Sequence, residues 1–435
     1  MTEHEVQHKT PRVAFYTFGC RLNQAETNII QQTFQARGYP VVDYRQQPDV
    51  VVVNTCTVTE NGDADTRKLV RKLVRHNPDV QIALVGCQAQ VQREKLLELP
   101  NVRWVVGNAR KMDFVDILEN ANTAEPQVIT PTIERQSFTL PAAGLTTSHT
   151  RANLKIQDGC DFFCSFCEIP FARGRARSRQ FDDLLQEARQ LADAGFKELV
   201  LTGINIGTYR DGNHTIVEVV EALESIDGLK RLRISSIEPT TIPWALIEKM
   251  AASSKLVPHL HIPLQSGSNA ILKQMKRLYT REEFATFLER VVEAVPDVCL
   301  GTDVIVGFPG ETDDDFRETY RFLKAMPFAY FHVFSYSARD HAPSRKLGNA
   351  VPREVIQERS RLLRELSARK RRLFHQRFVG KSVSVLFEQQ KNGIWEGLTA
   401  HYIRVRVKHP ENLKNQIRMV RITEVNDHQV TGELV

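Results

Sequence analysis

Apolar positions in the first quarter of the chain fall into short β-branched runs separated by stretches with a helical spacing. Residues 13–17 (VAFYT), 49–53 (DVVVV), 81–85 (QIALV) and 102–106 each read as a strand. The near-continuous valine run is what a parallel strand buried on both faces requires. Between these runs, helices are expected over 23–37, with Gly38 as a stop, then to His76, through Leu99, and over 111–120. This alternation predicts a parallel sheet with helices on both faces over residues 1–120.

From Ala121 to about His149 the periodicity is lost and Thr, Pro, Gly and Ser collect, which predicts a linker over 121–148. The strand–helix alternation then resumes. Strands are expected from the NLKIQDG stretch onward, at 198–203, 232–236, 259–264, 302–308 and 330–337, with helices between them. Roughly six such units suit a partial (β/α) barrel, whose chemistry belongs at the C-terminal ends of the strands. A long basic helix over 352–378 closes this region, taken as 149–378. Beyond Gly380 the pattern becomes short and alternating, at 382–388, 399–408 and 417–425, with Gly393 and Gly397 read as turns. Residues 379–435 are therefore expected to form a small antiparallel β-barrel of a kind that binds oligonucleotides, or equally a dimerisation module. The fold class is α/β.

At 435 residues, two or three domains are expected. Residues 1–12 lack the apolar region of a secretory signal, and no run reaches the length of a membrane span. A cytoplasmic protein without a membrane partner is expected, in which seven cysteines are ligands, catalytic groups or buried thiols rather than a disulfide framework. Charge is uneven: residues 351–435 hold 17 Lys+Arg against 9 Asp+Glu, so the whole surplus of +6 lies there. A basic tail on a near-neutral body is the footprint of a nucleic-acid-binding appendage, or of a solvated basic helix face. Arg404, Arg406, Arg418 and Arg421 lie on the tail's strands, with Tyr402 and Trp395 as candidate stacking partners.

The cysteines carry the chemistry. Cys160, Cys164 and Cys167 stand at a C-x3-C-x2-C spacing directly after the first strand of the predicted barrel. Zinc sites use C-x2-C pairs and four protein ligands, and no fourth ligand stands at such spacing here. Three thiolates on a four-iron, four-sulfur cluster leave one iron open to a ligand. Cys20, Cys56 and Cys87 each fall just past the end of a predicted strand, where α/β sheets bind ligands. They are either a second set of three ligands or three buried thiols in turns. Cys299, in an apolar setting, reads as a core thiol.

Other strand ends of the barrel gather glycines and hydrogen-bonding groups suited to a bound cofactor. These are Gly203 and Asn205, Ser235 and Glu238, His261 and Gln265, and the stretch Gly307-Phe308-Pro309-Gly310-Glu311. Arg173, Arg175, Arg177 and Arg179 alternate after the cysteine loop, as a grip for phosphates or as an exposed charged loop.

Nearly the whole chain resembles the radical S-adenosylmethionine (radical SAM) methylthiotransferase family, on TFGCRLNQAET, NTCTVT, VGCQAQ and the GCDFFCSFC stretch. The resemblance implies an N-terminal three-cysteine domain, a radical SAM barrel and a C-terminal TRAM β-barrel that helps bind RNA. It implies two [4Fe-4S] clusters, one on Cys20, Cys56 and Cys87 and one on Cys160, Cys164 and Cys167. The second would chelate SAM at its open iron and yield a 5′-deoxyadenosyl radical, with Phe166 near the adenine. A second SAM would supply the methyl group of the methylthio product. No protein acid or base is strictly required. The TFGCRLNQAET stretch resembles the branch acting on N6-threonylcarbamoyladenosine in tRNA, although Arg21-Leu22 and Ala25 depart from that branch's usual residues. Expected partners are tRNA, SAM and an electron donor such as flavodoxin or ferredoxin. The alternatives are a methylthiotransferase acting on isopentenyladenosine or on a ribosomal-protein aspartate, and a non-catalytic iron–sulfur RNA-binding protein.

Overall fold

The structure, a computed structural model, describes residues 10–120, 125–141 and 150–435. It divides into two compact units: Met1–Thr146 with Glu168–Arg175, and Thr147–Cys167 with Ala176–Val435.

In the first unit, five parallel strands lie side by side in chain order: Val13–Thr17, Val50–Thr55, Gln81–Gly86, Val102–Val106 and Gln127–Ile129. The alternation of the valine run sorts its side chains between two cores. Val51 and Val53 join one face with Ile82 and Leu84, while Val50 and Val52 join the other with Trp104 and Phe114. The fifth strand lies inside the stretch expected as a linker; its flanks, 121–124 and 142–148, are outside the described residues. Because the strands run in sequential order, Cys20, Cys56 and Cys87 follow three adjacent strands.

The second unit contains the partial barrel and the small C-terminal barrel. Six parallel strands follow one another: Arg151–Lys155, Glu198–Thr202, Arg231–Ile234, His259–His261, Cys299–Val306 and Tyr330–Ser335. A bridge between Ser236 and His261 links the two three-stranded halves. Helices pack outside, several fixed at their first turn by capping boxes: Thr215 with Glu218, Thr280 with Glu283 and Thr312 with Asp315. After the basic helix Arg353–Gln376, five strands close into the C-terminal barrel.

Two of those five strands depart from the sequence reading. Ile394–Thr399 is a strand, not a turn region, and Val430–Leu434 is a fifth strand pairing with Arg404–Lys408 and Ile417–Val425. No helix among the described residues is long and apolar enough to cross a membrane.

Candidate functional site

Cys20 precedes the helix Arg21–Ala36, and Cys87 opens the helix Cys87–Leu97, so both sit at helix N-termini; burial pushes the Cys20 thiol up. Gly19 has φ +92°, and a Cβ there would stand 2.8 Å from the Cβ of Cys56. Only glycine allows that approach. Burial first, then the neighbouring thiols of Cys87 and Cys20, push Cys56 up to about 12. Loading any metal there therefore displaces protons.

A buried ionic network supports this triad. Arg173, at the end of the helix Ile169–Arg173, is 0% exposed. Its Nε donates to Cys87 Sγ at 3.1 Å, and its Nη1 and Nη2 each donate to Glu26 at 2.9 Å. Nη2 also donates to Asn23 Oδ1 at 2.6 Å. Lys111 pairs with the same Glu26 carboxylate and donates to Asn108 Oδ1, while Asn108 Nδ2 reaches Cys87 Sγ at 3.6 Å. Two cations on one carboxylate leave a net positive charge next to Cys87, which suits a thiolate ligand.

In the second unit, Cys160, Cys164 and Cys167 lie on a loop pinned at Ser165. Its N–H donates to Met275 O, its hydroxyl to Gln274 O, and its carbonyl accepts from Ser344 N. Arg277 Nη1 donates to Cys164 Sγ at 3.2 Å, and the same guanidinium is paired with Glu238. Burial pushes Cys160 up to about 11. Phe166 packs against the small apolar cluster of Ile271, Met275 and Phe308.

Among the described residues, neither triad gathers its three sulfurs within 4.8 Å of one another. One tetrahedral zinc, about 2.3 Å from each sulfur, would hold them closer than that. The expected cofactor pocket also shows unmet hydrogen-bonding capacity: Asn205 Nδ2 and Ser235 Oγ are buried without partners. Asn205 is held in place by Gln157, which accepts its N–H, and by Thr241, which donates to its Oδ1. Gly203 lies against Gln157, and Gln265 bridges Val304 with φ +72°.

Several expected roles change. Arg173 and Arg179 are enclosed by carboxylates, Arg177 pairs with Asp158 at 3.2 Å, and Arg175 is exposed, so no row of four phosphate-gripping guanidiniums forms. Trp395 is buried in the C-terminal barrel core and offers no stacking face. Arg404 and Arg406 are exposed, but each is paired, with Glu388 and Glu396. His261 does not face an open cofactor pocket alone; it bonds Asp303 at 2.9 Å. Cys299 is a buried thiol, as expected. Sequence reading missed Arg277, Glu26, Lys111 and Asn108. Apart from the Lys111–Asn108 contact, their partners are remote in sequence.

Residues 154–323 match the family described as Radical SAM superfamily, and residues 12–107 match the Uncharacterized protein family UPF0004. In fold, the chain is similar to the radical S-adenosylmethionine methyltransferase TsrM from Kitasatospora setae, with TM-score 0.55, 14% identity and 75% of each chain covered. It is also similar to the cobalamin-dependent S-adenosylmethionine radical enzyme OxsB, with TM-score 0.52, 13% identity, and 82% of this chain and 56% of that one covered. The fold and its cysteine loop thus define a radical SAM enzyme, a class that uses an iron–sulfur cluster and SAM. Over nearly its full length the chain is 37% identical to the threonylcarbamoyladenosine tRNA methylthiotransferase MtaB of Bacillus subtilis (strain 168), covering 97% of this chain and 96% of the relative. The MtaB of Aquifex aeolicus (strain VF5) is 38% identical, over 94% of this chain and 99% of the relative. A tRNA-2-methylthio-N(6)-dimethylallyladenosine synthase of Geobacillus thermodenitrificans (strain NG80-2) is 33% identical, over 96% and 82%. The chain belongs to the radical SAM methylthiotransferase family.

Proposed function

We propose that this protein is a tRNA methylthiotransferase acting at C2 of N6-threonylcarbamoyladenosine at tRNA position 37, giving 2-methylthio-N6-threonylcarbamoyladenosine. The carrying observation is the pair of cysteine triads, one in each compact unit, in a chain that aligns end to end with relatives of that name at 37% and 38% identity. Relatives named for dimethylallyladenosine stand at 32–34%, level with a third MtaB at 33%, so the assignment leans on the two at 37% and 38%.

Each triad holds one four-iron cluster in this reading. When bound, the cluster on Cys160, Cys164 and Cys167 with SAM supplies a 5′-deoxyadenosyl radical, and the cluster on Cys20, Cys56 and Cys87 supplies the site of sulfur transfer. The protein's own groups orient and enclose. Asn205 Nδ2 and Ser235 Oγ offer unmet hydrogen bonds to SAM, and Arg277 fixes the Cys164 sulfur. Arg173 does the same for Cys87. Exposed arginines of the C-terminal barrel meet RNA phosphates, where contacts position rather than read sequence. An electron donor of the flavodoxin or ferredoxin kind and a cytoplasmic setting complete the reading.

Mass spectrometry of tRNA nucleosides from cells lacking the protein tests it. The methylthio derivative of threonylcarbamoyladenosine should vanish and return with the wild-type gene, but not with Cys56→Ala. Loss of the dimethylallyl product instead would overturn the substrate assignment. Iron analysis tests the cluster count: about eight irons per chain are expected, and about half remain in Cys164→Ala.

A further inference from the structure

Three parallel strands of the barrel bring His261, Asp303 and His332 together on one face. On the strand Tyr330–Ser335, Phe331 lies in the main hydrophobic core and Val333 packs against it, so Tyr330, His332 and Phe334 turn to the opposite, lumenal face. On Cys299–Val306, Leu300, Val304 and Val306 fill that same core, which turns Asp303 and Ile305 to the lumen. Asp303 is the register partner of His332, and His261 lies across from Gly301 one strand over. Ile305, two residues past Asp303, packs against the same small apolar cluster as Phe166 of the cysteine loop. The three polar groups therefore share the lumen with the SAM-cluster loop.

Their donor atoms converge. His261 Nε2 lies 2.9 Å and His332 Nδ1 lies 3.1 Å from the same oxygen, Asp303 Oδ1, and all three ligand atoms are within 4.8 Å of one another. Ligands about 2.1 Å from an octahedral metal and cis to each other stand about 3 Å apart, which is this spacing. A further shell is already built. His261 Nδ1 meets the Tyr330 hydroxyl at 3.4 Å, and that hydroxyl meets His259 Nε2 at 3.0 Å. Metal-bound histidines are oriented by such a partner on the other ring nitrogen.

We propose that His261, Asp303 and His332 form a binding site for one divalent first-row metal ion, separate from both cysteine triads and facing the barrel lumen. Two imidazoles and one carboxylate are a donor set for Mn2+, Fe2+, Co2+ or Zn2+ and leave coordination positions open. His332 is half exposed, 52% by side chain, so the open positions face solvent and accept water or an oxygen ligand of the substrate. Glu238 is already paired with Arg277 and is not part of this donor set. The site does not depend on which nucleoside is modified.

Manganese separates this site from the thiolates, because it prefers nitrogen and oxygen donors. Full-length protein, anaerobically reconstituted and with its clusters oxidised and EPR-silent, is titrated with Mn2+ while the signal of the free ion is followed. One saturable ion per chain is expected, displaced by Zn2+ and unchanged in Cys56→Ala. Asp303→Asn and His332→Ala should each weaken binding by roughly 10- to 100-fold or more, a loss at least as large as that from removing an outer-shell partner. Because His332 is half exposed, its alanine variant keeps the fold, which intact cluster absorbance confirms. No saturable uptake, or equal uptake in both variants, would mean that the three groups form a hydrogen-bonded network alone.

Discussion

At Glu26 a single buried carboxylate is shared by Arg173 and Lys111, and both cations also reach groups around Cys87. Breaking a buried pair by removing one partner costs about 3–5 kcal/mol, because the survivor is left charged in a dry interior. Arg173→Gln leaves Lys111 to neutralise Glu26 and belongs at the lower end. Glu26→Gln strands two cations and belongs at the upper end. Urea unfolding of the apo protein, monitored in the first unit by Trp104 fluorescence, should rank the two in that order. Equal midpoints would mean the network is hydrated and contributes little. None of these partners was legible in the sequence, since Glu26 and Arg173 stand 147 residues apart. The cysteines themselves were legible, because three ligands within one loop, or after three successive strands, are a local pattern.

For the elements, the strand–helix alternation was readable wherever a strand is buried on both faces and thus continuously apolar. The two strands missed in the C-terminal barrel each contain a glycine, and Gly397 reads as a turn from the sequence alone. A Cβ at Gly397 would stand 2.5 Å from Val385 Cγ1, and one at Gly432 would stand 2.5 Å from Val420 Cγ1. These glycines admit a neighbouring strand at close range. The same region has an acid sensitivity. Burial first, then Arg371, lowers His375 to about 4; burial, against an opposing pull from Asp297 and helped by Arg233, Arg231 and Lys381, lowers His401 to about 4. Their unfolded values are about 6.5, so between the two the unfolded chain binds more protons. Stability should therefore be full above pH 7 and fall as pH drops toward 4, by on the order of 2 kcal/mol for each histidine after solvent screening. Urea midpoints at pH 7.5, 6 and 5 check this, and His401→Gln should flatten part of the slope. A slope unchanged by that substitution would place the acid-sensitive group elsewhere.

Over the whole molecule, the basic surplus of the last 85 residues is a poor guide to which arginines are available. Arg359, Arg361, Arg372, Arg377, Arg404 and Arg406 are each committed to carboxylates. Among the described residues, Arg418 and Arg421 are exposed on a barrel strand without an ion pair. Nor is the barrel a detachable tail. Arg231 and Arg233, both buried, donate to the carbonyls of Leu398, Ser384, Thr399 and Ala400, and removing residues 382–435 would strand them. Point changes test RNA contact more cleanly. Arg418→Ala and Arg421→Ala should each make the dependence of log affinity for tRNA on log salt shallower by about 0.9 if each meets one phosphate. Arg406→Ala should change it less, since Glu396 already screens that charge. Equal slopes in all three variants would turn this face away from RNA.

The inclusion of Glu168–Arg175 in the first unit has a consequence for biogenesis. The ribosome delivers all five strands of that sheet long before it delivers the guanidinium that completes the pocket behind Cys87. Chains fold as they emerge, N-terminal parts first, yet here the first unit waits for a peptide that follows Cys167. By the time it is finished, all six cysteines have left the tunnel. Any step that loads metal onto the finished first unit therefore meets all six cysteines together on a growing chain, rather than one triad at a time.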